Sequence, residues 1–78
     1  MKTTAYFETI RCRPDRAAIH DAWIERAIRY PIRESVQADG RIRRWTTVSE
    51  AENRVLRVVL LADGETVHNA FFDRGFKL

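Results

Sequence analysis

The stretches that decide the fold are RESVQADGRIRRWTTV at residues 33–48 and RVLRVVLLADGETVHNAFF at residues 54–72. Each contains the tripeptide Ala-Asp-Gly between two runs that have the two-residue period and composition of β-strands. Glycine in third place suits a three-residue hairpin loop, because the last residue of such a loop adopts a left-handed conformation. The two stretches therefore predict two hairpins, which together form a four-stranded antiparallel meander.

The predicted strands are residues 33–37, 41–48, 54–61 and 65–72, and the polar segment Ser49 to Asn53 links the hairpins. Loop length fixes the pairing of the strands. A three-residue loop predicts Val36 opposite Ile42 and Glu34 opposite Arg44 in the first hairpin. In the second it predicts Val59 opposite Val67, Arg57 opposite Asn69, and Val58 opposite His68. A two-residue Asp-Gly turn is the alternative, and it shifts the pairing by one residue.

The segment before the sheet predicts helices. The pattern of residues Asp15 to Tyr30 predicts one long helix, which Asp15 caps and Pro31 ends. Its apolar residues form a stripe at helical spacing. The stripe consists of Ile19, Ala22, Trp23, Ala27 and Tyr30, and Ile24 and Ile28 widen the apolar face. Thr4 to Arg13 fits either a short helix or an edge strand, and a threonine cap at Thr3 or Thr4 favours the helix. The prediction is one α+β domain over residues 1–78, with the helical part packed on the sheet.

Composition narrows the class of protein. The chain has 78 residues, a net charge of +3 and a single cysteine, Cys12, so it can form no internal disulfide. The first residues lack the apolar segment of a signal peptide, and the longest apolar run, Val58 to Ala62, is too short to cross a bilayer. We therefore expect a cytoplasmic protein without a membrane partner. Twelve of the fourteen basic residues are arginine, which indicates either phosphate binding or a GC-rich genome.

The third predicted strand, Arg54 to Leu61, is apolar on both faces. Val55, Val59 and Leu61 lie on one face, and Leu56, Val58 and Leu60 on the other. One long helix covers only one face of a sheet, so a second subunit or another protein is expected to cover the rest. The strand therefore suggests a homodimer or a complex with a partner.

No strong catalytic or metal-binding motif is present. His20 and His68 are far apart in sequence and lack metal-type spacing with Cys12, so we expect neither a metal nor a cofactor. The remaining candidates for chemistry are arginines beside an aromatic side chain, a combination that holds phosphates and stacks bases. These candidate nucleic-acid-binding residues are Arg41, Arg43, Arg44, Trp45, Arg54 and Arg74. The competing interpretation is a solvated arginine face with Trp45 in the core and Phe76 docked on it.

Two residues interrupt apolar strands and are candidate catalytic residues. Arg57 lies in the most apolar strand, where a charge must be paired or must face a cleft. His68 is the credible general base of the second half of the chain. The alternatives are an arginine that reaches the rim of the sheet and a hydrogen-bonded core histidine. Asp73 is expected to face solvent.

The motifs QADGRIRRW at 37–45, LRVV at 56–59 and DGETVHNAFFDR at 63–74 resemble a family of small bacterial and archaeal proteins of unknown function. In layout the chain is also similar to the RelE/ParE-like toxins, including BrnT-type toxins. That resemblance implies a compact sheet whose basic residues cleave messenger RNA, and an antitoxin-like partner that covers it. The positions comparable to toxin residues are Arg43, Arg57, His68 and Arg74, although a complete toxin catalytic set does not match.

Three functions follow as hypotheses. The first is a toxin-related protein that acts on RNA, with His68 as acid or base and Arg57 together with Arg43 stabilising the phosphate. The second is a protein-binding or homodimerising module without catalysis. The third is passive nucleic-acid binding through the arginines, which predicts binding that weakens with salt.

Overall fold

In the computed structural model, which describes residues 1–77, two helices precede an antiparallel sheet. The helices are α1 (Ala5–Ile10) and α2 (Asp21–Arg29). The strands are β1 (Arg33–Val36), β2 (Ile42–Val48), β3 (Arg54–Leu60) and β4 (Val67–Phe72), and a single 3-10 turn, Ser49–Ala51, links β2 to β3. The strands lie side by side in the order β1-β2-β3-β4. The predicted α+β class and the four-stranded meander are therefore confirmed.

One face of the sheet packs against the helices and carries the core. Leu56, Val58 and Leu60 of β3 are completely buried there, together with Ile24 and Ala27 of α2. We call this the helix-covered face. The opposite face, which we call the open face, carries the alternate residues of each strand. It includes the row of cross-strand neighbours Arg33, Trp45, Arg57 and Phe71.

The first hairpin has the predicted register. Val36 pairs with Ile42 and Glu34 pairs with Arg44. The loop contains the three residues Ala38 to Gly40, and Gly40 has a φ of 91°, which is the left-handed conformation that the glycine was expected to supply. Local sequence is sufficient to determine this hairpin.

The predicted register of the second hairpin is wrong. Val59 pairs with Asn69, Arg57 with Phe71 and Val58 with Ala70. The loop runs from Ala62 to Glu65, one residue longer than predicted, because the Asp63 carboxylate accepts hydrogen bonds from the backbone N–H groups of Glu65 and Thr66. A bulge at His68 then adds a second residue of shift. The shift keeps Asn69 to Phe72 on their predicted faces, but Val67 now lies opposite Leu60 on the helix-covered face, and every cross-strand neighbour changes.

The predicted long helix is also shorter than expected. Residues 14–18 form turns, and His20 is extended with φ −78° and ψ 144°, so α2 begins at Asp21 and Asp15 caps no helix. Tertiary contacts explain the break: Ile19 is buried in the core, while the Arg16 side chain is held by Asn69 and by the backbone carbonyl of Ala70.

The apolar face of α2 agrees with the predicted one except at Ala22 and Tyr30. Ile24 and Ala27 are fully buried, and Trp23 and Ile28 pack against the core. Tyr30, which was placed in the stripe, is 74% exposed because it lies beyond the last turn of the helix. Ala22 is exposed as well. Both side chains lie on the solvent side.

The segment Thr4 to Arg13, which fitted either a helix or a strand, contains the short helix α1, as the threonine cap favoured. Thr4 caps α1 by accepting a hydrogen bond from the backbone N–H of Phe7, and Phe7 and Ile10 reach the core. Thr3 pairs with Val67 in an isolated parallel bridge, so the chain start lies against β4. Neither helix within residues 1–77 is long and apolar enough to cross a membrane.

Candidate functional site

A groove of about 650 Å³ opens beside the end of β4. Its chemistry is set by three guanidinium groups and three aromatic rings, and we call it the Arg–Phe groove. These residues are Arg16, Arg54, Arg74, Phe71, Phe72 and Phe76. The carboxylates of Asp15 and Asp73 also border the groove. An opening of this size falls within the range of roughly 300–1,000 Å³ that is usual for small-ligand sites.

The groove forms because β4 ends in two consecutive phenylalanines. Successive side chains of a strand point to opposite faces. Phe72 therefore lies on the helix-covered face, where its ring centre is 6.2 Å from that of Trp23, and Phe71 lies on the open face beside Arg57. The chain then turns, and Phe76 returns onto the buried Trp45, with ring centres 5.6 Å apart. Trp45 is buried, as the competing interpretation expected, but on the open face and outside the helix-covered core, and Phe76 packs against it there.

An arginine lies over each of the three rings. The guanidinium carbon of Arg54 is 4.0 Å from the ring centre of Phe72. Arg16 lies 5.3 Å from the centre of Phe71, and Arg33 lies 5.0 Å from the centre of Phe76. These distances are typical of cation–π contacts. Because a guanidinium donates hydrogen bonds in its own plane, an arginine stacked on a ring still presents donors at its edge.

Asp73 organises the floor beside the groove. Its Oδ2 atom accepts hydrogen bonds from the Trp45 indole at 2.9 Å and from Nε and Nη2 of Arg57 at 3.1 and 2.9 Å. The Trp45 hydrogen bond lowers the pKa of Asp73, and Arg57 and the Gly75 backbone N–H act in the same direction against burial, which raises it. This pairing explains how β3 tolerates a charge at Arg57.

The expectation that Asp73 faces solvent is wrong, since its side chain is only 11% exposed. Sequence reasoning missed its partnership with Arg57 because the predicted register placed Arg57 beside Asn69. With the correct register, Asp73 follows two residues after the cross-strand neighbour of Arg57. The signal that would have revealed the pair is an acidic residue directly after one strand, next to a half-buried arginine on the neighbouring strand.

The groove has an excess of positive charge. Arg57 offsets Asp73, and Arg16 lies 3.4 Å from Asp15, whose side chain is 69% exposed. Within residues 1–77, neither Arg54 nor Arg74 forms an ion pair. Two guanidinium groups therefore remain available for an external anion.

The predicted arginine cluster on β2 does not form a single patch. Arg41 lies at the hairpin loop, 3.7 Å from Asp39, and Arg43 lies on the open face beside the side-chain amide of Gln37. Arg44 lies on the helix-covered face, where it donates hydrogen bonds to Glu34 and to the backbone carbonyl of Ile28. Of the residues predicted to bind nucleic acid, the groove collects Arg54 and Arg74.

His68 lies on the β4 bulge, near the opposite end of that strand from the groove. Its Nδ1 atom is 3.1 Å from Oγ1 of Thr4, and its ring stacks on Tyr6 with centres 4.9 Å apart. Burial lowers the pKa of His68, the charge of Arg41 lowers it further and the charge of Asp39 opposes both, so the environment favours the neutral imidazole.

The structure does not bring His68 and Arg57 together. Arg57 is opposite Phe71, three residues after His68, which corresponds to roughly 10 Å along a strand. The two side chains have different hydrogen-bonding partners. Their joint catalytic role stays a prediction.

No group of three or more histidine, cysteine or carboxylate side chains within the described residues is arranged to hold a metal ion. Comparisons of the chain with known protein families, curated proteins and solved structures found no match. The function is therefore inferred from the chemistry of the groove.

Proposed function

We propose that this protein binds single-stranded RNA in the Arg–Phe groove. The observation that carries the proposal is that Arg16, Arg54 and Arg74 line one groove together with three phenylalanine rings, and that two of these guanidiniums have no carboxylate partner among the described residues. Guanidinium groups bind phosphates, and aromatic rings stack on unpaired bases. Binding of cellular RNA also requires the cytoplasmic location that we expect for this chain.

A single strand suits the groove better than a duplex. Phe71 and Phe76 are partly exposed there, and stacking on them requires a base that is not already stacked in a helix. The spacing of cations and rings around one small opening favours contact with one or two nucleotides and their phosphates. Longer RNA would extend along the open face past Arg43, which also forms no ion pair within residues 1–77.

Fluorescence anisotropy with a short labelled RNA tests the proposal. Arg74 is exposed, and no hydrogen bond from its side chain is formed within residues 1–77, so Arg74→Gln removes a phosphate contact without disturbing the fold. We expect this substitution to weaken binding about tenfold and to reduce the log–log salt slope by about 0.7. Arg41→Gln is the control, since it removes the same charge at the distant hairpin loop. Equal losses in both variants would contradict binding at the groove.

RNA cleavage is a second candidate, which rests on the toxin resemblance and on the neutral imidazole of His68. In this hypothesis His68 acts as general base, Arg41 lies near the phosphate, and an antitoxin-like partner restrains the activity. Inducible expression in a bacterium, with growth and RNA integrity followed together, tests it. We expect growth arrest that is lost in His68→Gln, a variant that retains a polar partner for Thr4, but not in His20→Gln. Harmless expression of the unaltered chain would contradict cleavage.

A further inference from the structure

We propose that two copies of this chain pair through β1 and form a continuous eight-stranded antiparallel sheet. β1 is an edge strand of the sheet. Its bonds to β2 include Gln37 N–H to the carbonyl of Arg41, and hydrogen-bonded pairs alternate along an antiparallel ladder. Ser35 therefore directs its backbone groups towards β2, whereas Glu34 and Val36 direct theirs outward.

These outward groups have no partner within residues 1–77. Neither backbone nor side-chain donors or acceptors of the described chain reach the N–H and C=O of Glu34 and Val36. A row of free backbone groups is a template for another strand. β1 thus offers two donors and two acceptors to a second chain.

The other edge of the sheet is partly occupied by contacts within the chain. The outward N–H of Ala70 in β4 donates to its neighbour Asn69 at 2.9 Å, and the Ala70 carbonyl accepts from Arg16 at 3.3 Å. Nearer the start of the strand, Val67 is bonded to the backbone of Lys2 and Thr4. Pairing of β1 with the same strand of a second copy about a two-fold axis is isologous, so it closes after two copies.

Apolar side chains surround the open edge. Val36 is 66% exposed and Ile32 is 45% exposed, and Tyr30 lies just before them in the chain. These are three of the five large hydrophobic residues that are exposed in the described chain. Strand pairing at β1 covers Val36, the exposed apolar residue within the strand itself, and removes its apolar surface from water.

The sequence of β1 selects a second copy and one register. A two-fold axis perpendicular to the sheet places residues of the same face opposite each other. Each possible register is therefore defined by the one residue that lies opposite itself in the second copy, which we call the centre. Centring on Arg33 or Glu34 places like charges opposite each other, which is destabilising. Centring on Val36 pairs Glu34 with the turn residue Ala38. Centring on Ser35 pairs Glu34 with Val36 of the second copy, and the outward backbone groups of both residues are then satisfied.

Sedimentation velocity over a range of protein concentrations tests the pairing. We expect reversible monomer–dimer behaviour, because a four-residue strand makes a small interface. Val36→Pro removes an outward N–H that the fold does not use, and it should abolish the dimer. Val36→Thr, which keeps the N–H and the β-branched shape, should retain it. A chain that stays monomeric at high concentration, or a dimer that persists in Val36→Pro, would overturn the proposal.

Cysteine cross-linking tests the register and does not depend on the proline variant. In a Cys12→Ser background, Ser35→Cys places two thiols opposite each other across the two-fold axis. The Cα atoms of such a non-hydrogen-bonded pair are about 4.5 Å apart, within disulfide range. Glu34→Cys in the same background places the thiols too far apart. We expect mild oxidation to give covalent dimer only with Ser35→Cys; equal cross-linking in both variants, or none in either, would contradict this register.

Discussion

Asp73 shows how one carboxylate supports both the fold and the groove. It accepts hydrogen bonds from Trp45 of β2 and Arg57 of β3, and it fixes the turn that returns Phe76 to the sheet. Asp73→Asn removes the negative charge from an acceptor that is almost buried. We expect a loss of about 2 kcal/mol in the free energy of unfolding, measured in urea, because hydrogen bonds to charged groups contribute about 1.5–3 kcal/mol. Glu25→Gln, at an exposed helical ion pair, should change stability by less than about 0.5 kcal/mol.

The contribution of Asp73 depends on pH in a defined direction. Its pKa is lowered in the folded chain, so its ionised form stabilises the fold above the unfolded pKa of about 3.9. That stability is lost as the pH falls through the lower folded pKa. The difference between the unaltered chain and Asp73→Asn should therefore stay constant from pH 7 to about pH 5 and shrink below about pH 4. A difference that grows on acidification would contradict this pairing.

The turns show which elements local sequence determines. The first hairpin follows from Gly40 alone, because its left-handed φ of 91° closes a three-residue loop. The second hairpin also has a left-handed glycine, Gly64, yet its register depends on the Asp63 side chain and on the His68 bulge. The loop depends on a side-chain hydrogen bond and the bulge lies against the N-terminal segment. The two-residue period of the strands predicts neither contact.

Substitution of glycine tests this interpretation of the turns. Gly40→Ala forces a residue with a Cβ into a left-handed conformation, which costs roughly 1–2 kcal/mol. Gly75 does not have a positive φ, and a Cβ there meets only ordinary contact with Asp73 at 3.6 Å. We expect urea unfolding to show a loss of stability in Gly40→Ala and almost none in Gly75→Ala. Equal effects would indicate that the Gly40 conformation is not the cause.

The helical segment also shows that local sequence does not determine where every element begins. Its apolar spacing and Pro31 predicted the end of α2 correctly to within a residue, but the start is six residues later than predicted. Arg16 and Ile19 make contacts with β4 and with the core that a continuous helix would not allow. Tertiary packing therefore overrides helical propensity in this segment. The start of α2 can be predicted only when the position of β4 is known.

At the scale of the whole molecule, the candidate site depends on distant parts of the chain. Arg54 and Arg74 were recognisable as candidates from sequence, because arginine beside aromatic residues is a phosphate-binding composition. Arg16 was not, since its position near Phe71 results from the turns before α2. The modest net charge of +3 is also misleading, because most carboxylates pair with arginines elsewhere and the groove keeps two unpaired guanidiniums among the described residues.

The most direct test of RNA binding at the groove is an NMR titration of isotopically labelled protein with a short single-stranded RNA. We predict that the largest chemical-shift changes occur at the amides of Phe71, Phe72 and Arg74 and at the Arg54 side-chain Nε, with little change near Arg41 and the β1 edge. Changes centred on His68 and Arg41, with the groove unaffected, would contradict the account and favour the cleavage hypothesis. The absence of any shift at low salt would rule out RNA binding by this chain.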